Sequence, residues 1–173
     1  AIGSFGGGLK SVAPTTLGAL CAKEAVKRSG VDAATIESCV IGNVLRSEPR
    51  DAYISRIIAV DAGLPIESHA VTVNRLCGSG LEAVINATQQ IQTGEIDTAV
   101  AGGAESMSQA SYSVASNRWG QRMGNSMMED DMTTALTDPF GTGHMGVTAE
   151  NLSEKYNIDR DTQDAFSADS HAK

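Results

Sequence analysis

The sequence predicts an α/β domain with a mainly parallel sheet. Apolar runs of strand length, Cys39–Leu45, Val71–Val73 and Thr98–Ala104, alternate with segments of helical period. Gly is used 18 times against 4 Pro, which calls for tight turns and close backbone approaches. At 173 residues the chain can bury a core in one domain, or in one and part of another.

Residues 1–14, AIGSFGGGLKSVAP, are glycine-rich, lack periodicity and read as a structural loop. Lys10-Ser11 follows Gly3 and Gly8 at nearly phosphate-loop spacing, but Leu9 stands at the glycine-lysine junction, so no nucleotide site is expected. Thr15–Ser29 is predicted helical, with Leu17, Leu20, Cys21 and Ala25 on the inner face and Gly30 as its stop. Asp32 caps a short turn, and Cys39–Leu45 follows as a buried strand in which Cys39 and Asn43 are structural. Ser47–Asp51 breaks the pattern before a helix through Ile54, Ile57, Ile58 and Ala62, ended by Gly63 and Pro65. His69, at the entry to the next strand, reads as a surface or hydrogen-bonding residue.

Ala70–Gly94 is the stretch with chemical potential. A strand at Val71–Val73 turns through Asn74–Gly80 into a helix bearing Leu81, Val84, Ile85, Thr88 and Ile91 at helical spacing. Ser79 and Glu82 fit a capping box, and Gly94 a left-handed stop. Cys77 therefore falls just before a helix N-terminus, where unpaired N–H groups and the dipole favour an anionic thiolate. Flanking glycines allow a substrate carbonyl to approach amides that can bind an oxyanion. The residues alone leave Cys77 open between a nucleophile and a packed thiol. Gly78–Ala83 also matches G-x-G-x-x-A, a dinucleotide fingerprint, though Asp97 precedes the next strand where an acidic residue should follow it.

Thr98–Ala104 is the next buried strand, and its small residues imply close contact with a neighbouring backbone or ligand. In a parallel sheet, Cys77 and Glu105 would lie at the C-terminal strand ends, where such sheets place their sites. From Ser106 to Val147 the composition shifts to Met, Ser, Asp and Gly, with Trp119, and a less regular region is expected. Thr148–Tyr156 and Asp159–Lys173 read as helices, the second capped by Asp159.

A formal charge of -8 argues against a nucleic-acid partner. Cys21, Cys39 and Cys77 are odd in number and lack metal-type spacing, which fits a reducing compartment. No apolar run approaches the ~20 residues of a membrane helix, so no membrane association is expected. The chain opens on Ala1-Ile2-Gly3 without Met and is expected to lack its natural N-terminus.

GSFGGGLK, GNVL, VNRLCGSGLEAV, AGGAESMS, RWGQRMG and HMGVTAEN stand in an order and spacing that resembles a thiolase of the acetyl-CoA acetyltransferase type. SEPRDAYISRIIAVDAGLP is similar to broad-range bacterial β-ketothiolases. The resemblance implies a layered thiolase-type α/β half over residues 1–106, without its first strand, and the beginning of a loop domain over 107–173. It implies Cys77 as the nucleophile that takes an acyl group from acyl-CoA, with its own N–H as an oxyanion donor. Leu136, His144 and Met145 match substrate-binding positions beside the pantetheine arm and acyl pocket, whereas Glu105 and Ser106 brace the site.

The family's Gly-His-Pro, Cys-x-Gly and Asn-Glu motifs are absent from the sequence, so this chain is expected to carry the nucleophile without the acid/base half and to lack full turnover. The resemblance further implies Claisen condensation or thiolysis of 3-oxoacyl-CoA, in fatty acid metabolism. Coenzyme A thioesters would be substrates, with no cofactor and no metal. A cytoplasmic homodimer or homotetramer is implied. The alternatives are a non-catalytic acyl-CoA or lipid-binding relative and a dinucleotide-binding oxidoreductase.

Overall fold

Strand β1 (Ser38–Gly42) is the centre of a three-stranded parallel sheet, ordered β2–β1–β3, with β2 at His69–Val73 and β3 at Ala99–Gly103. All five of its residues are buried, as suits a strand paired on both edges and covered on both faces. The register sets Val40 opposite Val71 on one side and Ala101 on the other. The computed structural model describes residues 2–173; Ala1 lies outside them.

The two-residue period of β1 sends Cys39 and Ile41 to one side and Val40 to the other. The first side packs with Ala22 and Val26 of helix α1 (Pro14–Ser29) and with Ile54, Ile58 and Ala59 of α2 (Ile54–Ala62). The second side meets Ala83 and Ala87 of α3 (Ser79–Gln92). The expected layered α/β architecture is thus present as helices, parallel sheet and helix. Ile58 is 0% exposed, and burying such a side chain stabilises the fold by about 1.5–3 kcal/mol.

Two predicted helix faces are turned from where the sequence placed them. On α1 the buried stripe is Pro14, Thr15, Gly18, Ala19, Ala22 and Val26, while Cys21 and Leu20 are exposed. A Cβ built on Gly18 would stand 2.3 Å from Ile58 Cδ1, so α1 approaches α2 too closely for a larger side chain. On α3, Ser79, Ala83 and Ala87 are buried, whereas Leu81, Val84 and Ile91 are exposed. The reason is the same: small residues permit close contact, and Leu20, Leu81, Val84 and Ile91 are left exposed.

The chain folds into two compact units, Ala1–Met132 and Thr133–Lys173. The compositional shift at Ser106 therefore falls inside the first unit. Residues just beyond it return to earlier segments through Gly6 N–H to Ser108 Oγ, Gln109 Nε2 to Val12 O and Ser111 N–H to Arg46 O. This stretch includes the short antiparallel pair β4 (Tyr112–Ser113) and β5 (Glu129–Asp130). A short helix, α4 (Asp131–Ala135), crosses the division.

The second unit contains the antiparallel pair β6 (Thr137–Asp138) and β7 (Gly143–His144), then α5 (Met145–Tyr156) and α6 (Arg160–Ala172). Asp159 caps α6 as expected, its carboxylate accepting from Thr162 N–H at 2.8 Å. The Thr162 side chain, and after it this backbone N–H, hold the Asp159 carboxyl below its usual range.

Candidate active site

The β2–α3 connection is fixed almost atom by atom. Asn74 Oδ1 accepts from Leu76 N–H at 3.0 Å, and Leu76 takes a left-handed φ of 49°. A left-handed backbone costs a non-glycine residue about 1–2 kcal/mol, so the surrounding bonds must hold it. Arg75 O accepts from Gly78 N–H at 3.1 Å, and Leu76 O from Ser79 N–H at 3.0 Å. Cys77 sits between these contacts and is exposed.

The predicted capping box does not form. Ser79 is already the first residue of α3, and Gly78 occupies the cap without a side-chain bond. The Ser79 hydroxyl instead turns back, accepting from Arg75 N–H at 2.8 Å and donating to Leu76 O at 2.6 Å. Glu82, freed of capping, takes the Arg75 guanidinium at 2.6 Å and accepts from Asn86 at 3.0 Å.

Glycines set the helix start against the sheet. A Cβ on Gly42 would meet the Ser79 carbonyl at 2.5 Å, and one on Gly103 would stand 3.4 Å from Gly80 Cα. The first turn of α3 therefore lies against the C-terminal ends of β1 and β3, where a parallel sheet places its sites. The glycines that this contact requires are Gly42 and Gly103 on the strands, since a Cβ on Gly80 would meet open space, and Asp97 precedes β3.

A second bracket stands beyond the same strand ends. Asn43 Nδ2 donates to Ala104 O and to Glu105 Oε1, each at 2.9 Å. Glu105 also accepts from Leu45 N–H at 2.7 Å and from Val44 N–H at 3.2 Å. Burial pushes the Glu105 carboxyl above its usual range; the Leu45 and Val44 amides oppose this, and the Asp51 charge adds to it. Glu105 lines a cavity of about 510 Å³ with Phe5, Leu9, Leu17 and Met107, but Cys77 is not among its lining residues.

Within the second unit, the three sequence-predicted substrate-binding residues lie on or beside one hairpin, His144 ending β7 with Leu136 and Met145 flanking the strands. Thr137 pairs with His144, and Met145 N–H donates to Leu136 O at 2.8 Å. Leu136 is half-buried, while His144 and Met145 are exposed. His144 caps α5, its Nδ1 accepting from Gly146 N–H at 3.0 Å. With Nδ1 an acceptor, a neutral ring carries its proton on Nε2 and can donate there.

The Ser79 pin, the Arg75–Glu82 pair and the Asn43–Glu105 bracket are not legible in the sequence. Polar residues on either side of Cys77 were a visible signal, but their partners depend on how the turn closes. Among the described residues no group of His, Cys, Asp and Glu is arranged to hold a metal, and no helix is long and apolar enough to cross a membrane.

Together, sheet and turn define a layered α/β domain presenting an exposed thiol between a parallel strand and a helix N-terminus. A family model for the thiolase N-terminal domain matches residues 1–173, and the chain belongs to the thiolase family. It is 51% identical over 173 residues to the beta-ketothiolase BktB of Cupriavidus necator, covering 100% of this chain and 44% of that protein. It is 44% identical over 173 residues to a probable acetyl-CoA acyltransferase of Staphylococcus aureus, covering 99% of this chain and 44% of that one.

Among solved structures, human mitochondrial 3-ketoacyl-CoA thiolase in complex with CoA superposes with a TM-score of 0.89 at 39% identity, over 95% of this chain and 42% of that one. Bacillus anthracis acetyl-CoA acetyltransferase gives 0.88 at 39% identity, over 94% and 41%. The chain thus spans less than half the length of these relatives.

Proposed function

We propose that the protein acts in acyl-CoA C-acyl transfer, with Cys77 as the acyl-accepting nucleophile. The observation that carries this is an exposed thiol, held in a bonded turn at the C-terminal edge of a parallel sheet, in a chain of the thiolase family. The Cys77 thiolate attacks the thioester carbonyl and the oxygen takes up negative charge beside the Cys77 N–H. The intermediate collapses, the carbon–sulfur bond to coenzyme A breaks, and CoA leaves as a thiolate that takes a proton. In condensation, the α-carbanion of a second acyl-CoA attacks the acyl-Cys77 carbonyl and frees the sulfur. Thiolysis of a 3-oxoacyl-CoA is the reverse.

Leu136 and Met145 supply apolar contact for the pantetheine arm and acyl group, and His144 Nε2–H donates to substrate. The family's Gly-His-Pro, Cys-x-Gly and Asn-Glu motifs do not occur in these 173 residues, and the step assigned to this chain is acylation of Cys77. Coenzyme A thioesters are substrates and no cofactor is assigned. A homodimer or homotetramer, a cytoplasmic place and a role in fatty acid metabolism rest on the family resemblance.

The test is free CoA, measured chromatographically after mixing the protein with acetyl-CoA. About one equivalent per chain is expected from the unmodified protein and none from Cys77→Ala. Equal release by the two would refute the assignment of Cys77. Binding of acetyl-CoA without release would favour a non-catalytic acyl-CoA-binding relative.

A further inference from the structure

We propose that Ser79 is the positioning residue for Cys77, its hydroxyl locking the turn that holds the sulfur and the Cys77 amide in place. This rests on the acyl-transfer reading for its chemistry, but its geometry stands on the turn itself. Ser79 is 5% exposed, and its hydroxyl bridges the two residues immediately before the cysteine. It accepts from Arg75 N–H at 2.8 Å and donates to Leu76 O at 2.6 Å. Leu76 O also receives Ser79 N–H, so one residue grips the same carbonyl with backbone and side chain.

Leu76 is one of two non-glycine residues with a positive φ among those described, the other being Asn157 at a helix end. Asn157 is a residue type that tolerates this conformation, but Leu has no local side-chain bond to support it. The support at Leu76 comes instead from Asn74 on its N–H and Ser79 on its carbonyl. Removing the hydroxyl leaves Arg75 N–H without its partner and Leu76 O with one bond fewer, and the backbone just before Cys77 can relax toward negative φ. Ser79 itself is anchored, because its carbonyl lies against Gly42, where no Cβ fits. The Arg75–Glu82 pair straps the outer side of the turn to α3 but leaves the Leu76 carbonyl untouched.

A nucleophile displaced by as little as about 1 Å loses rate rather than substrate affinity. Loss of the hydroxyl should therefore lower the rate constant of acylation and leave the half-saturating thioester concentration alone. General destabilisation has a different signature, since it reduces the fraction of chains that acylate and not the rate constant of those that do.

The experiment measures Cys77 acetylation by acetyl-CoA, by rapid quench and peptide mass, in the unmodified chain, Ser79→Ala and Ser79→Thr. Iodoacetamide alkylation of Cys77 is followed in parallel. For Ser79→Ala the rate constant at saturation should fall by about tenfold to hundredfold, with the half-saturating concentration within about twofold. Ser79→Thr, which keeps the hydroxyl, should restore the rate constant to within about threefold.

A wild-type rate constant in Ser79→Ala, or a Ser79→Thr as slow as the alanine variant, would overturn the proposal. Poor folding of the alanine variant alters only the amplitude, and the threonine variant supplies the second arm. If the unmodified chain is not acetylated, the acyl-transfer reading fails, and alkylation then decides positioning. An alkylation rate changed in Ser79→Ala and restored in Ser79→Thr would uphold it, and equal rates in all three would overturn it.

Discussion

Two stretches of the first unit, Ser38–Gly42 and Asn74–Ser79, are built in opposite ways around a cysteine. Cys39 lies in a strand paired on both edges, 0% exposed, and burial pushes its thiol up to about 11. Cys77 lies in an exposed turn whose shape comes from side-chain and backbone hydrogen bonds rather than from packing. The first stretch stabilises the domain by removing apolar groups from water. The second spends conformational strain at Leu76 to hold a thiol where solutes can reach it. Sheet and turn meet at Gly42 and Ser79, so the rigid stretch serves as the platform for the reactive one.

That contrast can be broken most strongly from its packed side. Ile58→Ala empties a fully buried site and is expected to cost about 2–5 kcal/mol in urea unfolding, with Cys77 alkylation in the remaining folded fraction unchanged. Gly42→Ala attacks the junction. Its new methyl meets backbone and not a flexible side chain, so a loss of about 1–3 kcal/mol is expected, together with altered Cys77 alkylation.

Cys39 sharpens the comparison through pH. Its folded value is raised above the ordinary 9.0, so the neutral thiol is favoured by folding. The associated stability is fully present below the unfolded value and is lost as pH rises through about 11, amounting to on the order of 3 kcal/mol. Denaturant midpoints from neutral to alkaline pH should show this loss, and Cys39→Ala should remove that part of the slope. The smallest effect lies in the second unit. Asp159, held below its usual range by Thr162, stabilises the start of α6 above the ordinary aspartate range. This support is lost as pH falls through the depressed folded value, and Asp159→Ala should fray the first turn at neutral pH, read by hydrogen exchange.

The parts of the fold legible in sequence were those written in apolar runs and caps. Cys39–Leu45 announces a buried strand, which forms over Ser38–Gly42, Asp159 a helix start, and Gly63 the end of α2, where its φ is 89°. Facing was harder to read. Leu20 and Leu81 are the larger apolar residues of their helices, yet Gly18, Ala19, Ala83 and Ala87 make the close contacts. Hydrophobic spacing records which side chains are greasy, whereas close packing here was decided by which are small. Ser79 was misassigned for a related reason: its type fits a cap, but a helix begun one residue earlier turned the hydroxyl back onto Arg75 and Leu76. For the candidate site, the residues themselves place Cys77 between strand and helix, whereas Leu136, His144 and Met145 are named by the family resemblance alone. The bonds that fix them needed coordinates.

The most direct measurement is peptide mapping by mass spectrometry after brief incubation of the protein with acetyl-CoA. One acetyl group is expected, on the peptide containing Cys77, with Cys21 and Cys39 unmodified and the label released by free coenzyme A. Acetylation confined to exposed Cys21, or a Cys77 peptide that stays unmodified at saturating acetyl-CoA, would contradict it.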